Sequence, residues 1–428
     1  MPNGDHPLRY DLVNELHARP FPVLTAPCMA AFVAIKEPGD SAARDRDRDR
    51  AHLVDLLDRN GSAHPQPGAT HFSGAIGRSE LKWESHTEFV TYSGFTPGLS
   101  ARPFDPMEAE VFPADWLHAA PGKRVASVLV RVEVMPEDEA GVAEKLDRWF
   151  VAESLAVAWV VDRAAVIAGD FRIDPAGHMR FAVFIRPDAG PRRAGRIVQR
   201  LCEIETYRAM SMLGLMSARG VTAALNALDP RLSALVGGLN SDDRPADAAL
   251  HELLTIASEL ESLAMRMSFR FGATVAYEAI VTQRIEALRE ERMSGRQTFG
   301  EFMMRRYDPA MRTAKSTEAR LRSMAERAQR AAELLRTRVD VERSGQNQKL
   351  LESMDRRADM ALRLQHTVEG LSVVAISYYA VSLAGYLAGP VLEGWMSKAW
   401  AMALLTPVVI LGVWGMVRRI RSGHGFHA

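Results

Sequence analysis

Cysteine is nearly missing from this chain. Cys28 and Cys202 are the only two in 428 residues, and neither lies in a Cys-x-x-Cys pair. That excludes a disulfide framework and a zinc-ribbon spacing, and it fits a reducing compartment. Net charge is missing as well: Lys plus Arg (53) equals Asp plus Glu (53). No global field draws nucleic acid or acidic substrates, so no nucleic-acid partner is expected. The opening segment Met1-Pro-Asn-Gly-Asp-His-Pro lacks a basic stretch followed by an apolar one, so no secretory signal is read there. The chain also lacks a Walker phosphate loop, a dinucleotide glycine fingerprint after a strand, a nucleophile elbow and a His-Glu-x-x-His helix. With no catalytic signature, the expectation is a protein that is not an enzyme.

What the chain does have is two nearly charge-free stretches, 370–392 and 399–417, separated by a short segment holding Glu393 and Lys398. As a helix, each is long enough to cross a hydrocarbon core of roughly 30 Å at about 1.5 Å per residue. A helix apolar on every side for a full span is hard to cover in a soluble fold. A transmembrane hairpin at 370–420 is therefore expected, with the lipid bilayer as partner. Arg356, Arg357 and Arg363 precede the first stretch, and Arg418, Arg419 and Arg421 follow the second. Basic flanks stay in the cytoplasm, which places the N-terminal bulk and the tail 421–428 on that side and the Glu393 loop outside.

The remaining sequence reads as an arm at 1–27, an α/β domain at 28–190 and a helical stalk at 191–369. Cys28-Met-Ala-Ala-Phe-Val-Ala-Ile35 is a strand pattern, and 41–59 is a helix pattern closed by Asn60-Gly61. The alternating run Arg44-Asp-Arg-Asp-Arg-Asp-Arg50 reads as the solvated first turns of that helix. The segment His86-Thr-Glu-Phe-Val-Thr-Tyr92 is strongly β-prone. A similar order recurs later: a strand at 124–134, a break at Met135-Pro136, a helix at 139–150, a strand near 155–161 and a hairpin into His178-Met-Arg-Phe. This suggests a duplicated β-α-β-β unit whose copies share a sheet. The fold class is thus α+β, followed by long stalk helices and the hairpin.

After Pro191 the strands are expected to stop. Helices are read at 192–214, 246–293, 310–343 and from 346 onward, broken at Asp229-Pro230, Ser294-Gly295, Asp308-Pro309 and Ser344-Gly345. Leu321, Met324, Ala328, Ala331, Leu335 and Val339 step by three and four, as do Leu351, Met354, Ala358, Ala361, Gln365 and Val368. Such seams pack helix on helix as in a coiled coil. No breaker separates residue 346 from the first apolar stretch, which implies a rigid lever roughly 60 Å long at about 1.5 Å per residue.

Four sets of residues stand out as candidates. Asn14, Glu15, His17 and Arg19 crowd into one string, Asn-Glu-Leu-His-Ala-Arg-Pro; they could exchange protons or hold a ligand, or pin an ordered arm by salt bridges. Glu84, His86 and Glu88 alternate, so on an extended strand they share one face and could hold a divalent cation, or form an exposed sheet face. Arg208 belongs with Arg196, Arg200, Glu203, Glu205 and Tyr207 on an amphipathic helix suited to an ion-pair network. In the first apolar stretch Tyr378, Ser382, Gly385 and Gly389 step by four, three and four. That face either packs helices through small residues or lines a pore, with Glu393 concentrating cations at its mouth.

The Asn-Glu-Leu-His-Ala-Arg-Pro string, with Lys82-Trp83-Glu84, His86-Thr-Glu-Phe89 and Glu203-Ile-Glu-Thr-Tyr-Arg208, resembles a bacterial family of uncharacterised membrane-anchored proteins, end to end. The resemblance implies anchoring in a bacterial inner membrane and supplies no catalytic residues. The order of parts is similar to CorA-type magnesium channels, although the hallmark Gly-Met-Asn is replaced here by Gly385-Tyr386-Leu387-Ala388-Gly389-Pro390. That architecture implies an oligomeric cation channel or transporter, a homo-oligomer and a pentamer if CorA-like, gated by its cytoplasmic domain. The alternatives are a membrane-anchored scaffold or sensor for a cytoplasmic ligand or partner, and a membrane-anchored metal-dependent enzyme using a divalent cation, centred on His17, Glu84, His86 and Glu88.

Overall fold

Cys28–Lys36 (β1) is apolar at nearly every position because both of its faces are buried. A strand covered on one side only would alternate. Ala30, Phe32 and Ala34 enter one core, and Ala31, Val33 and Ile35 enter the other. The structure, a computed structural model, describes residues 6, 8–10, 12–13, 20–39, 44–239, 244–392 and 397–423. These form two compact units, one built on the sheet and reaching residue 332, the other comprising 244–250 and the chain from 333 onward.

The first unit holds β2 (His71–Ile76), β3 (Ser79–Ser85), β4 (Phe89–Pro97), β5 (Lys123–Val134), β6 (Ala156–Val160), β7 (Ala165–Ile173), β8 (Met179–Ile185) and β9 (Glu291–Arg292). The strand order is β2-β3-β4-β1-β5-β8-β7-β6-β9. The two halves share one sheet, with β1 and β5 antiparallel at its centre. Each half is strand, helix, then three strands, one strand more than the sequence pattern suggests. The halves are not simple copies, because β1 pairs antiparallel with β4 whereas β5 pairs parallel with β8.

One face of the sheet is covered by α1 (Arg46–Arg59), α2 (Ala114–His118) and α3 (Glu139–Trp149), which supply Leu53, Leu56, Leu57, Trp116, Val142 and Leu146. Asp45 caps α1 by accepting from the Asp47 and Arg48 amides at 2.9 and 3.3 Å, so the helix starts at Arg46 and not at 41. The Arg-Asp run is not wholly solvated, contrary to the expectation from its alternation. Arg44 and Asp49 form a buried ion pair, and Arg44 also reaches the Ser85 hydroxyl and the His86 carbonyl.

The other face carries α4 (Pro191–Gly237), the end of α5 (Ala246–Glu286) and α6 (Phe299–Arg306), contributing Ile197, Leu201, Val281, Phe299 and Phe302. Helix α4 runs straight through Asp229-Pro230, which sequence punctuation reads as a break. Asp229 pairs there with Arg320 and Arg327 of α7 (Asp308–Leu392), so tertiary contacts hold a helix that proline weakens. Strands also do not stop at Pro191, since β9 adds an edge to β6.

Helix α7 continues through Ser344-Gly345, where a break is expected; one interior glycine costs a helix only about 1 kcal/mol. Its first seam, Leu321, Met324, Ala328 and Ala331, is buried as the spacing predicts. The second seam, Leu351 to Val368, is exposed along its whole length, so among the described residues no helix packs on it. Helices α7 and α8 (Lys398–Gly423) both contain segments long and apolar enough to cross a membrane, and these are almost entirely unburied.

Burial separates the two seams energetically. Leu321→Ala is expected to cost the first unit about 2–5 kcal/mol by opening a cavity, whereas Leu351→Ala changes it by less than about 0.5 kcal/mol. Denaturant unfolding followed by tryptophan fluorescence measures both; equal losses would refute the packing described.

Candidate functional site

Alternation on β3 sends Leu81 and Trp83 into one core and leaves Lys82 and Glu84 on the opposite face. On β4, Thr91 and Ser93 join that face between Phe89 and Phe95. Helix α4 crosses above with Gln199, Cys202, Glu203, Thr206 and Tyr207, which fall on one side at helical spacing. Arg284 of α5 and Phe21 of the N-terminal segment close the walls of a cavity of about 220 Å³. Gly195 lets that segment approach: a Cβ there would lie 1.8 Å from the Pro22 carbonyl oxygen.

Polar groups of the cavity form one chain. Lys82 Nζ lies 3.4 Å from Glu84 Oε1 and donates to Gln199 Oε1 at 3.0 Å. Gln199 Nε2 donates to Glu203 Oε1 at 2.7 Å, and Arg284 Nε donates to Glu203 Oε2. Two cations and two carboxylates thus line one small space, tying the sheet to α4 and α5. His86 stacks on Phe89 with centroids 4.5 Å apart, its Nε2 3.4 Å from Thr91 Oγ1. Cys202 is fully buried, and burial holds its thiol well above the ordinary range, so it is a neutral wall and not a nucleophile.

Beside the cavity, Glu88 is 1% exposed and accepts from Arg270 and, at 2.9 Å, from the Tyr277 hydroxyl. Burial first, then the Glu88 charge, pushes the Tyr277 hydroxyl far above its usual range, so it stays a donor. Tyr277 stacks on Tyr207 at 5.5 Å and both lie edge-on to Phe89. The β3–β4 turn is therefore pinned to α5 on one side and, through Arg44 and the His86 carbonyl, to the start of α1 on the other.

The expected row of Glu84, His86 and Glu88 does not form. Strand β3 ends at Ser85, so His86 and Glu88 sit in a turn; Glu84 and His86 line the cavity, while Glu88 is consumed by Arg270. Among the described residues no group of three or more His, Cys, Asp or Glu side chains is placed to hold a metal ion, so these three do not make the expected divalent-cation site. Arg208 grips Glu205 through two hydrogen bonds of 2.8 Å, the ion pair its helix pattern implied, and does not line the cavity. Asn14, Glu15, His17, Arg19 and Glu393 lie outside the described residues.

Of the pore candidates, Tyr378 is 70% exposed and Ser382 half-buried. Gly385 faces α8, where a Cβ would come within 2.6 Å of Met402 Sδ, so this position packs helices; Gly389 lies in the same helix. Sequence reasoning missed Gln199 and Arg284. Gln199 could have been found from its spacing of four to Glu203; nothing local marks Arg284.

Residues 4–424 match the profile of a family described as "Protein of unknown function (DUF3422)". No curated protein matches the chain.

Glu88→Ala strands the Arg270 guanidinium in the interior, an effect worth about 3–5 kcal/mol of stability. Equilibrium unfolding compared with the parent protein gives the loss; a change under about 1 kcal/mol would show that water reaches Arg270 and that the turn is not pinned as described.

Proposed function

The chain belongs to the DUF3422 family, and on that premise we propose that it is a membrane-anchored binding protein, its α/β unit receiving a small zwitterionic solute in the cavity between β3, β4 and α4. The observation that carries this reading is the balanced quartet Lys82, Glu84, Glu203 and Arg284 around about 220 Å³ of space. A carboxylate entering there meets Lys82 and Arg284, and an ammonium meets Glu84 and Glu203. Phe89 and Tyr207 supply apolar walls that keep water from competing. A ligand of single charge would leave one pair of the quartet unmatched.

Anchoring is supported by the apolar segments of α7 and α8, which are left almost wholly uncovered. In this reading they cross a bacterial inner membrane, with the sheet unit and the C-terminus in the cytoplasm, because Arg356, Arg357 and Arg363 precede the first and Arg418 and Arg419 follow the second. The exposed seam Leu351, Met354, Ala358, Ala361, Gln365 and Val368 keeps the a/d spacing of a coiled coil, which supports a homo-oligomer formed by this stretch of α7 in several copies.

A cation channel or transporter of CorA-like architecture stands second. It is favoured by α7 running unbroken from Asp308 to Leu392, so that a solute bound by the chain could be felt along a single helix. Packing of Gly385 on α8 takes one of its four helix positions away from a pore.

Calorimetric titration of the full-length protein in detergent with amino acids and betaines tests the first reading. Saturable binding that falls at least tenfold in Lys82→Met and in Glu203→Gln is expected. Absence of binding by any zwitterion, together with cation flux from reconstituted vesicles, would replace it with the second.

A further inference from the structure

The opposite face of the sheet carries a second, larger cavity of about 440 Å³, within the roughly 300–1,000 Å³ range of small-molecule sites. It opens where the end of β1 meets the starts of β5 and β8. Ile35, Phe112 and Leu117 form an apolar floor beneath the 3-10 turn Pro106–Ala109 and α2. Arg124 pairs with Ile35 in the β1–β5 ladder, so it leaves the sheet on the side of that floor, whereas Lys123 pairs with Lys36 and leaves on the other. Arg124 and Glu110 both stand exposed at the rim, one charge of each sign in reach of water. The rim therefore selects no net charge in a ligand, and selection falls to what is buried further in.

The buried polar side chain that lines this cavity is His178, 6% exposed. The turn before it fixes its backbone: Asp174 Oδ1 accepts from the His178 amide at 2.9 Å, and the His178 carbonyl accepts from the Asp174 amide at 2.8 Å. Ser127 orients the ring, its Oγ 2.7 Å from Nδ1. Nε2 makes no hydrogen bond among the described residues, yet it is not sealed in the core; it opens into the cavity that the ring lines. Burial, then the Arg124 charge, holds the pKa of the ring below the ordinary value, so at pH 7 the ring is neutral and carries one proton. Ser127 decides which nitrogen holds that proton. Its hydroxyl lies 3.4 Å from the Phe32 carbonyl oxygen and has a single hydrogen to give. With that hydrogen on Phe32, Nδ1–H donates to Oγ and both contacts are used; with it on Nδ1, the Phe32 contact is lost. The first arrangement leaves Nε2 as a bare acceptor facing the cavity.

We propose that this cavity binds a small neutral molecule with an apolar body and one hydroxyl or N–H donor, the donor bonding to His178 Nε2 and the body resting against Ile35, Phe112 and Leu117. The site is separate from the zwitterion cavity, which lies across the sheet, and stands whether or not that one is occupied. An apolar body removes the floor from water. A donor gives Nε2 the partner it lacks, whereas a molecule of the same shape without one covers the nitrogen and leaves it unsatisfied, which costs more than the bond itself is worth.

The test uses full-length protein and fluorine NMR of 4-fluorophenol beside 4-fluoroanisole, its methyl ether, which has the same ring and no donor; a protein-free sample in the same solvent is the blank. Saturable line broadening of the phenol at concentrations at least about fivefold below those needed for the ether is expected. His178→Phe keeps a ring, leaves Ser127 the Phe32 carbonyl to donate to, and should bring the two probes level. Ala176→Trp, at the exposed turn over the mouth, alters no buried side chain and should block both. Equal broadening of phenol and ether, a preference that survives in His178→Phe, binding undiminished in Ala176→Trp, or no broadening in the parent protein would each overturn the proposal.

Discussion

Burial of the sheet on both faces is the constraint on which the rest of the structure depends. Nine strands with β1 and β5 at the centre present apolar surface above and below, and neither half has enough helix to cover both sides alone. Helices α1 to α3 come from within the two strand repeats and close one face. The other face is left to elements that follow the strands in sequence: α4, the end of α5 and α6. This division explains why a 47-residue helix, α4, begins hard against the sheet and ends far beyond it: its early turns are roof, its later turns a partner for α7.

The same division produces the two cavities. A roof borrowed from long helices cannot follow the twist of the sheet everywhere. Over the outer strands β3 and β4 the gap is filled by polar side chains, Lys82, Glu84, Thr91 and Ser93, and by the helix side chains that answer them, Gln199 and Glu203. Charges can sit there because each finds an opposite within reach; a lone one would cost several kcal/mol on the order of a buried ion's desolvation. On the other face the short α2 and the 3-10 turn leave a pocket at the strand ends, with Arg124 exposed at its rim.

Legibility followed the range of the forces. Strand β1, the strand at 124–134 and the hairpin into β8 could be read because a strand buried on both faces leaves an uninterrupted apolar run. The repeat of parts was visible, but the change from antiparallel to parallel pairing was not, since polarity is decided by how the chain returns and not by local pattern. Strand β3 was hidden because Lys82 and Glu84 face a polar cavity, which breaks the apolar signal. Pro230, Gly345 and the Arg44 run misled for one reason: tertiary contacts or helix continuity outweighed a local preference of about 1–3 kcal/mol. The short motifs Lys82-Trp83-Glu84, His86-Thr-Glu-Phe89 and Glu203-Ile-Glu-Thr-Tyr-Arg208 did converge on one place. Yet Arg284, which completes the charge quartet, carries no local mark, because its role exists only once α5 is folded against α4.

The far part of α7 presents apolar surface of two different geometries, and geometry decides what can cover each. From Leu351 to Val368 the apolar residues keep to a stripe amid charged ones such as Arg356, Arg357 and Glu369. A stripe is matched by another stripe, because charged neighbours on either side must remain in water while the seam leaves it. Beyond Gly370 the apolar surface runs all round, with Leu371, Val374, Tyr378 and Leu383 exposed at different angles. Protein neighbours would have to encircle such a helix to cover it, whereas lipid covers it from every side at once. The change from one pattern to the other falls within one turn of Gly370, close after the last of the basic residues that prefer the cytoplasmic surface. Under the proposed reading that boundary is where a protein-covered stalk becomes a lipid-covered span. A single uninterrupted helix crosses it without leaving backbone amides unpaired in hydrocarbon.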